Sequence, residues 1–168
     1  NHFGTDGSSS GAIGFINAKF IRETNMLTGG FPSLYGDKLS GVIDISFREG
    51  SRKKFYKDVN LSIAGFGAIV EGPIANNGSF LFSLRRSYLE LVKSAIRLTS
   101  VPNYWDFNLK IAYDFSPTDK ISVIGLTGLD KIDFSGESAE DNPYGNSNSN
   151  QNTYVAGVNY KKLFRKGF

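Results

Sequence analysis

The chain has 168 residues, 40% hydrophobic and 21% charged, with a net charge of +3, and its length accommodates one domain or parts of two. It contains no cysteine, which excludes disulfides, thiolate nucleophiles and cysteine metal sites together. Mean hydropathy is −0.23 and no run approaches 18 consecutive apolar residues, which excludes helical membrane spans but not a membrane β-barrel, whose inward-facing residues dilute its lipid-facing ones.

Residues 1–12 are polar and glycine-rich and read as a loop. Ile13 to Ile21 has apolar positions without a clean period, compatible with a short strand or a helical turn, and residues 22–27 read as extended. Gly29-Gly30-Phe31-Pro32 predicts a turn, because two glycines permit positive φ and proline sets the next φ. Gly41 to Arg48 is rich in β-branched side chains and predicts a strand. Glu49 to Lys54 is a charged connector, and the domain boundary falls there: 1–50 before it, 51–54 as the link, 55–168 after it.

Beyond the connector the period is two. Val59, Leu61 and Ile63 alternate with Asn60, Ser62 and Ala64; Gly65 to Gly67 reads as a tight turn, and 68–74 returns as a strand ending in Glu71-Gly72-Pro73-Ile74. Asn76-Asn77-Gly78 is a hairpin signal. Ser79 to about Val92 is a long strand with Phe80, Phe82 and Leu84 on one face and Ser83 and Arg85 on the other. A mixed loop over 93–103, with a helical turn near Lys93–Leu98, leads to a strand over 104–115. Ser116-Pro117-Thr118-Asp119 is a turn, 120–134 a long strand and 135–152 a polar loop. Tyr154, Ala156, Val158 and Tyr160 form the apolar side of a last strand, and Arg165-Lys166-Gly167 reads as the next turn.

The cleanest alternation runs from Asp106 to Phe115. Phe107, Leu109, Ile111, Tyr113 and Phe115 lie on one face, while Asp106, Asn108, Lys110, Ala112 and Asp114 lie on the other. Ten residues match the roughly 9–11 that a tilted strand needs to cross a bilayer. On a membrane reading, Phe80, Phe82, Phe107, Leu109, Ile111, Tyr113 and Phe115 face lipid, and Asn60, Arg85, Asp106, Asn108 and Lys110 face the lumen. Connections also alternate between tight turns (76–78, 116–119, 165–167) and longer or more variable ones, as in barrels with short periplasmic turns and longer outer loops. A half-buried strand of a soluble sandwich shows the same alternation, so a soluble β-rich binding or adhesion module stays open, as does a small non-transporting barrel. About six strands are too few to close a membrane barrel, which starts at about 8. An open sheet edge in lipid leaves backbone groups unpaired. The chain also opens at Asn1 without a charged-then-apolar leader. It therefore reads as a piece of a larger barrel.

Catalytic constellations are missing. His2 is the one histidine, so a Ser-His-Asp triad or a zinc site has nothing else to draw on. Gly7, Gly11 and Gly14 are not followed by the Gly-Lys-Ser/Thr of a phosphate loop. Glu137, Glu140 and Asp141 lack the spacing of a calcium loop. The basic clusters Arg52-Lys53-Lys54, Lys161-Lys162 and Arg165-Lys166 are short and form no basic face of the kind that binds nucleic acid. The expectation is a non-enzyme with no cofactor, no metal and no nucleic-acid partner.

Leu27 to Gly50, LTGGFPSLYGDKLSGVIDISFREG, resembles the end of the plug domain of TonB-dependent outer-membrane transporters, on Gly29, Gly30, Tyr35, Gly36, Gly41, Val42, Ile43, Asp44 and Ile45. Glu71-Gly72-Pro73 before a hairpin, then Ser79-Phe80 and Arg85-Arg86-Ser87-Tyr88, is similar to the start of the barrel in versions of this family common in Bacteroidetes. The pattern departs in four places, one being the stretch between Tyr35-Gly36 and Gly41, about one residue shorter than the commonest pattern. Gly29-Gly30 stands for the usual Gly-Pro, Asp44 for the frequent Asn, and Leu34 for an arginine that pairs with barrel glutamates. The resemblance implies an all-β fold: part of an antiparallel transmembrane barrel preceded by the C-terminal part of a plug. It also implies energy-coupled uptake of a siderophore, cobalamin, glycan or peptide across the bacterial outer membrane. The implied partners are outer-membrane lipid, a TonB-type coupling protein reached through an N-terminal box absent from these residues, a transported ligand and a surface lipoprotein. The glycines would let a loop lie against the barrel wall, and Tyr35 would bond to that wall through its hydroxyl.

Overall fold

The computed structural model describes residues 16–30, 32, 34–36, 41–62, 65–88, 100–134 and 147–164, of which 100–102, 132–134 and 147–149 are described as backbone only. Outside it lie His2, the Gly7, Gly11 and Gly14 pattern, the 93–98 helical turn, the acids Glu137, Glu140 and Asp141, and the Arg165-Lys166-Gly167 turn.

The fold is all-β and antiparallel. A 3-10 turn, Ala18–Phe20, is capped by the Asn17 side chain, which accepts from the Lys19 amide at 3.0 Å. It leads into β1 (Ile21–Leu27), which pairs with β2 (Val42–Phe47) as a two-stranded sheet. Six further strands form a second sheet in simple chain order: β3 (Tyr56–Ser62), β4 (Gly65–Ile74), β5 (Gly78–Ser87), β6 (Ser100–Ser116), β7 (Asp119–Phe134) and β8 (Ser147–Lys162). Consecutive antiparallel strands are the arrangement that short hairpin turns permit. Among the described residues β3 and β8 are the two edges and do not pair with each other.

Three boundaries differ from the sequence reading. Gly65 to Gly67 is the start of β4, not a turn. A side chain at Gly65 would lie 2.2 Å from the Arg86 carbonyl oxygen and one at Gly67 2.7 Å from Asn60 Oδ1, so these glycines answer to close neighbours in the sheet. The hairpin turn is Ala75–Asn77, with Ala75 at φ 48°, and Gly78 already belongs to β5. The mixed loop expected over 93–103 and the polar loop expected over 135–152 both contribute strand: β6 begins at Ser100 and β8 at Ser147, where β8 pairs with the end of β7 (Phe134↔Ser147). Ladder pairing with a long neighbour outweighs the low strand propensity of Asn and Ser.

Register assigns every strand residue to a face, because directly opposed residues share one. Val59↔Ala68, Val70↔Phe82, Phe82↔Leu109, Ile111↔Val123 and Val123↔Val158 form one face, the outer face below. Asn60↔Gly67, Gly67↔Arg85, Arg85↔Asp106 and Asp106↔Gly128 form the other, the inner face.

Candidate functional site: a polar face under the N-terminal segment

The inner face is buried and mostly polar along the middle strands β4–β7, and exposed or half-exposed on the edge strands β3 and β8. Ser79, Ser83, Ser87 and Asn108 are fully buried, Asp106 nearly so, and the apolar residues among them are Ile69, Leu81, Ala112 and Leu126. Residues 16–20 and the end of β2 cover this face. Phe20 is fully buried against Ile69, Leu81 and Leu126, with Ile16, Phe47 and Ile124 around the cluster, and it meets Phe47 edge-on at 5.9 Å. Burying a Phe contributes about 2–3 kcal/mol, so Phe20 is the apolar anchor of the cover.

Polar contacts surround that anchor. Asn17 Nδ2 donates to Ser83 Oγ at 2.7 Å, and the small serine leaves room for the covering chain to approach. Lys19 Nζ pairs with Asp58 at 2.9 Å. Lys110 Nζ donates to the Phe47 carbonyl at 2.6 Å. Arg48 bridges the two sheets: its Nε donates to the Lys19 carbonyl at 2.6 Å and its guanidinium pairs with Glu71 at 2.5 Å. The connector crosses β5 so closely that a side chain at Gly50 would lie 1.9 Å from the Phe80 carbonyl oxygen. Arg52 then ties the connector to β6, pairing with Asp114 at 2.6 Å and with Glu49 at 2.9 Å. Its hydrogen bond to Asp114 raises the Arg52 pKa above even its ordinary high value, so the side chain stays charged.

The five residues expected to face a lumen share the inner face but divide by role. Lys110 reaches the covering segment. Arg85 and Asp106 pair with each other across β5 and β6 at 2.7 Å. Asn108 is buried beneath the cover, and Asn60 lies beside Gly67. The seven residues expected to face lipid lie on the opposite side: Phe80, Phe82, Phe107, Leu109, Ile111 and Tyr113 by register, and Phe115 by an edge contact with Tyr113 at 5.3 Å. That side is uncovered. Val59 is 69% exposed and Val158 70% exposed at its margins, and Leu109 and Val123 are exposed nearer its centre.

The glycines of the expected plug motif are not crowded by β3–β8. Gly29, Gly30 and Gly36 have no atom within 4 Å of an added Cβ, so their glycines are not set by close approach; Gly30 is instead at φ +62°, a conformation in which side chains are strained. Gly41 lies near the Leu27 carbonyl. Tyr35 donates its hydroxyl to Asp44 of β2 at 3.1 Å and its amide to the Pro32 carbonyl at 2.9 Å. Leu34 is 81% exposed. Asn17, Phe20, Ser83, Arg48, Glu71 and Gly50, which do make the interface, were not singled out by the sequence as contacts. The legible signal was the run of small or polar residues on one side of β5: Ser79, Ser83 and Ser87.

Among the described residues no cluster of His, Cys, Asp and Glu is placed to hold a metal, and no helix is long and apolar enough to cross a membrane. Comparison with protein-family models, with curated proteins and with solved structures finds no match.

Proposed function

We propose that β3–β8 are part of the wall of an outer-membrane β-barrel, that residues 16–50 belong to the plug inside it, and that the protein is a TonB-dependent transporter. The observation that carries this reading is the inversion of burial. The polar, serine-rich face is covered by the chain's own N-terminal segment, and the face of Phe, Leu, Ile and Val is bare. A soluble sheet buries its apolar face; a wall between lipid and a filled lumen does the reverse.

The dimensions support the same reading. From Trp105 to Phe115 the chain covers ten residue steps, about 33 Å at about 3.3 Å per residue. At a tilt of about 40° this is about 25 Å along the bilayer normal, the height of the apolar band of such barrels. Aromatic residues mark both limits of the band: Phe66, Trp105 and Tyr154 at one end, Tyr113, Phe115 and Tyr160 at the other. Past Trp105 the outer face turns polar, at Lys131 and Asn150, so the long strands β6–β8 project beyond the band. The turns at 75–77 and 117–118 lie at the opposite end, which is then the periplasmic one. The edges of β3 and β8 take further strands in the closed barrel, since lipid leaves no backbone group unpaired. The proposed cargo is a scarce nutrient of the siderophore, cobalamin, glycan or peptide class. The motor is a TonB-type protein acting on the plug.

Two adjacent residues on opposite faces test the reading. Val123→Arg, on the outer face, is expected to make insertion into vesicles less favourable by about 2–4 kcal/mol, and Ser122→Arg, on the inner face, by less than about 1 kcal/mol. Equal costs, or the reverse order, would remove the membrane reading.

A further inference from the structure

The outer face carries a cation at its aromatic rim. Arg86 lies opposite Trp105 in the β5–β6 register, and its guanidinium carbon sits 4.7 Å from the centre of the Trp105 ring. Trp105 is itself held on two sides. It stacks on Phe107 at 5.9 Å with an interplanar angle of 2°, and it meets Phe66 edge-on at 6.3 Å. Lys131 lies on the same face, two strands over and one step further from the band centre. We propose that Arg86 and Trp105, with Lys131 at the margin, form a binding site for the phosphate of an anionic membrane lipid. This rests on the membrane reading above.

Position and chemistry agree on that occupant. An arginine facing lipid is costly at mid-depth and nearly free at the interface, and Arg86 is placed at the limit of the apolar band, where headgroups begin. Stacking against a ring desolvates one face of the guanidinium and restricts its motion, so less freedom is lost when it takes a ligand. Its planar fork matches two phosphate oxygens, a geometry that a lysine ammonium does not offer. The neighbouring Trp, Phe and Leu129 side chains give the lipid's glycerol and upper acyl carbons an apolar seat on the same face.

Trp105 is the one tryptophan of this chain, so it reports on the site directly. The full-length protein is reconstituted in phosphatidylcholine vesicles holding a minor fraction of phosphatidylglycerol or of phosphatidylcholine with brominated acyl chains, which quench tryptophan on contact. The signal is the difference between the protein and its Trp105→Phe variant. The expected result is quenching by both lipids, with brominated phosphatidylglycerol favoured about fivefold, as one basic residue near an anionic surface provides, and with that preference lost in Arg86→Gln. Quenching without a preference, or a preference that survives Arg86→Gln, overturns the lipid site and leaves the membrane reading standing. Quenching by neither lipid overturns the membrane reading, and the site with it. If Arg86→Gln does not fold, the comparison of the two lipids in the unaltered protein decides alone: preference supports the site and equality overturns it.

Discussion

Arg48 at the end of β2 and Glu71 on the inner face of β4 form an ion pair at 2.5 Å, and it joins the two sheets. The side chains are 31% and 14% exposed, so water screens the contact less than it does a surface pair. The same guanidinium donates to the Lys19 carbonyl, one residue from the Phe20 anchor. The position at which the sequence pattern leads one to expect an arginine holds Leu34, which is exposed. An arginine–glutamate contact between the covering segment and the six-stranded sheet is made nonetheless, from a different point in the chain.

Removing either partner is expected to loosen the cover. Arg48→Ala and Glu71→Gln should each weaken docking of residues 16–50 by about 1.5–3 kcal/mol, the range for hydrogen bonds to charged groups. The double variant should be little worse than the poorer single one. Hydrogen exchange of the β1 and β2 amides across the four proteins measures this. Additive losses would mean that the two side chains act independently.

Two glycines separate close approach from mere looseness. Gly50→Ala pushes a methyl into the Phe80 carbonyl and the Leu81 amide, both backbone, so the connector itself must shift. The expected cost is about 1–3 kcal/mol. Gly29→Ala meets open space and should stay within about 0.5 kcal/mol. Urea unfolding midpoints of the two variants give the comparison, and a larger effect at Gly29 would contradict the placement of the connector.

Tyr35 gives a pH signature. Its hydroxyl donates to the Asp44 carboxylate, and that hydrogen bond raises its pKa above the ordinary tyrosine value. A raised folded pKa means that the contact contributes stability fully below pH of about 10 and loses it as pH rises through the higher folded value. Asp44→Asn should bring the Tyr35 titration back down toward the ordinary value. Phenolate absorbance, read as the difference from Tyr35→Phe, follows it; an unchanged titration in Asp44→Asn would show that the pair does not form.

What the sequence conveyed follows from the range of each interaction. Period-two alternation and turn chemistry are local, so the two faces of β6 were legible from Phe107, Leu109, Ile111 and their neighbours alone, and the turns near 76–78 and 116–119 from Asn76-Asn77-Gly78 and Ser116-Pro117-Thr118-Asp119. Where a strand stops is not local. Ser147 to Gln151 has the composition of a loop and becomes strand because β7 supplies a partner at every step. Gly65 and Gly67 have the composition of a turn and are strand because neighbouring strands crowd them. The interface was the least legible part. Asn17, Phe20 and Arg48 reach Ser83, Leu81 and Glu71 across tens of residues of sequence, and nothing within either segment marks its partner. The expected plug glycines show the same dependence on range: Gly29 and Gly36 suit a close approach, but nothing in the residues around them marks which element they would approach.

The central claim is that the bare apolar face touches acyl chains. These 168 residues contain no cysteine, so a cysteine introduced at each position from Asp106 to Tyr113 is the one spin-label site among them; labels are read in the full-length protein in vesicles, with any cysteine outside these residues replaced by serine. Collision with oxygen, which concentrates in lipid, should then rise and fall with period two, with maxima at Phe107, Leu109 and Ile111 and minima at Asn108 and Lys110. Low oxygen accessibility and immobile labels at Phe107, Leu109 and Ile111 would mean that this face packs on protein, and the account would be wrong.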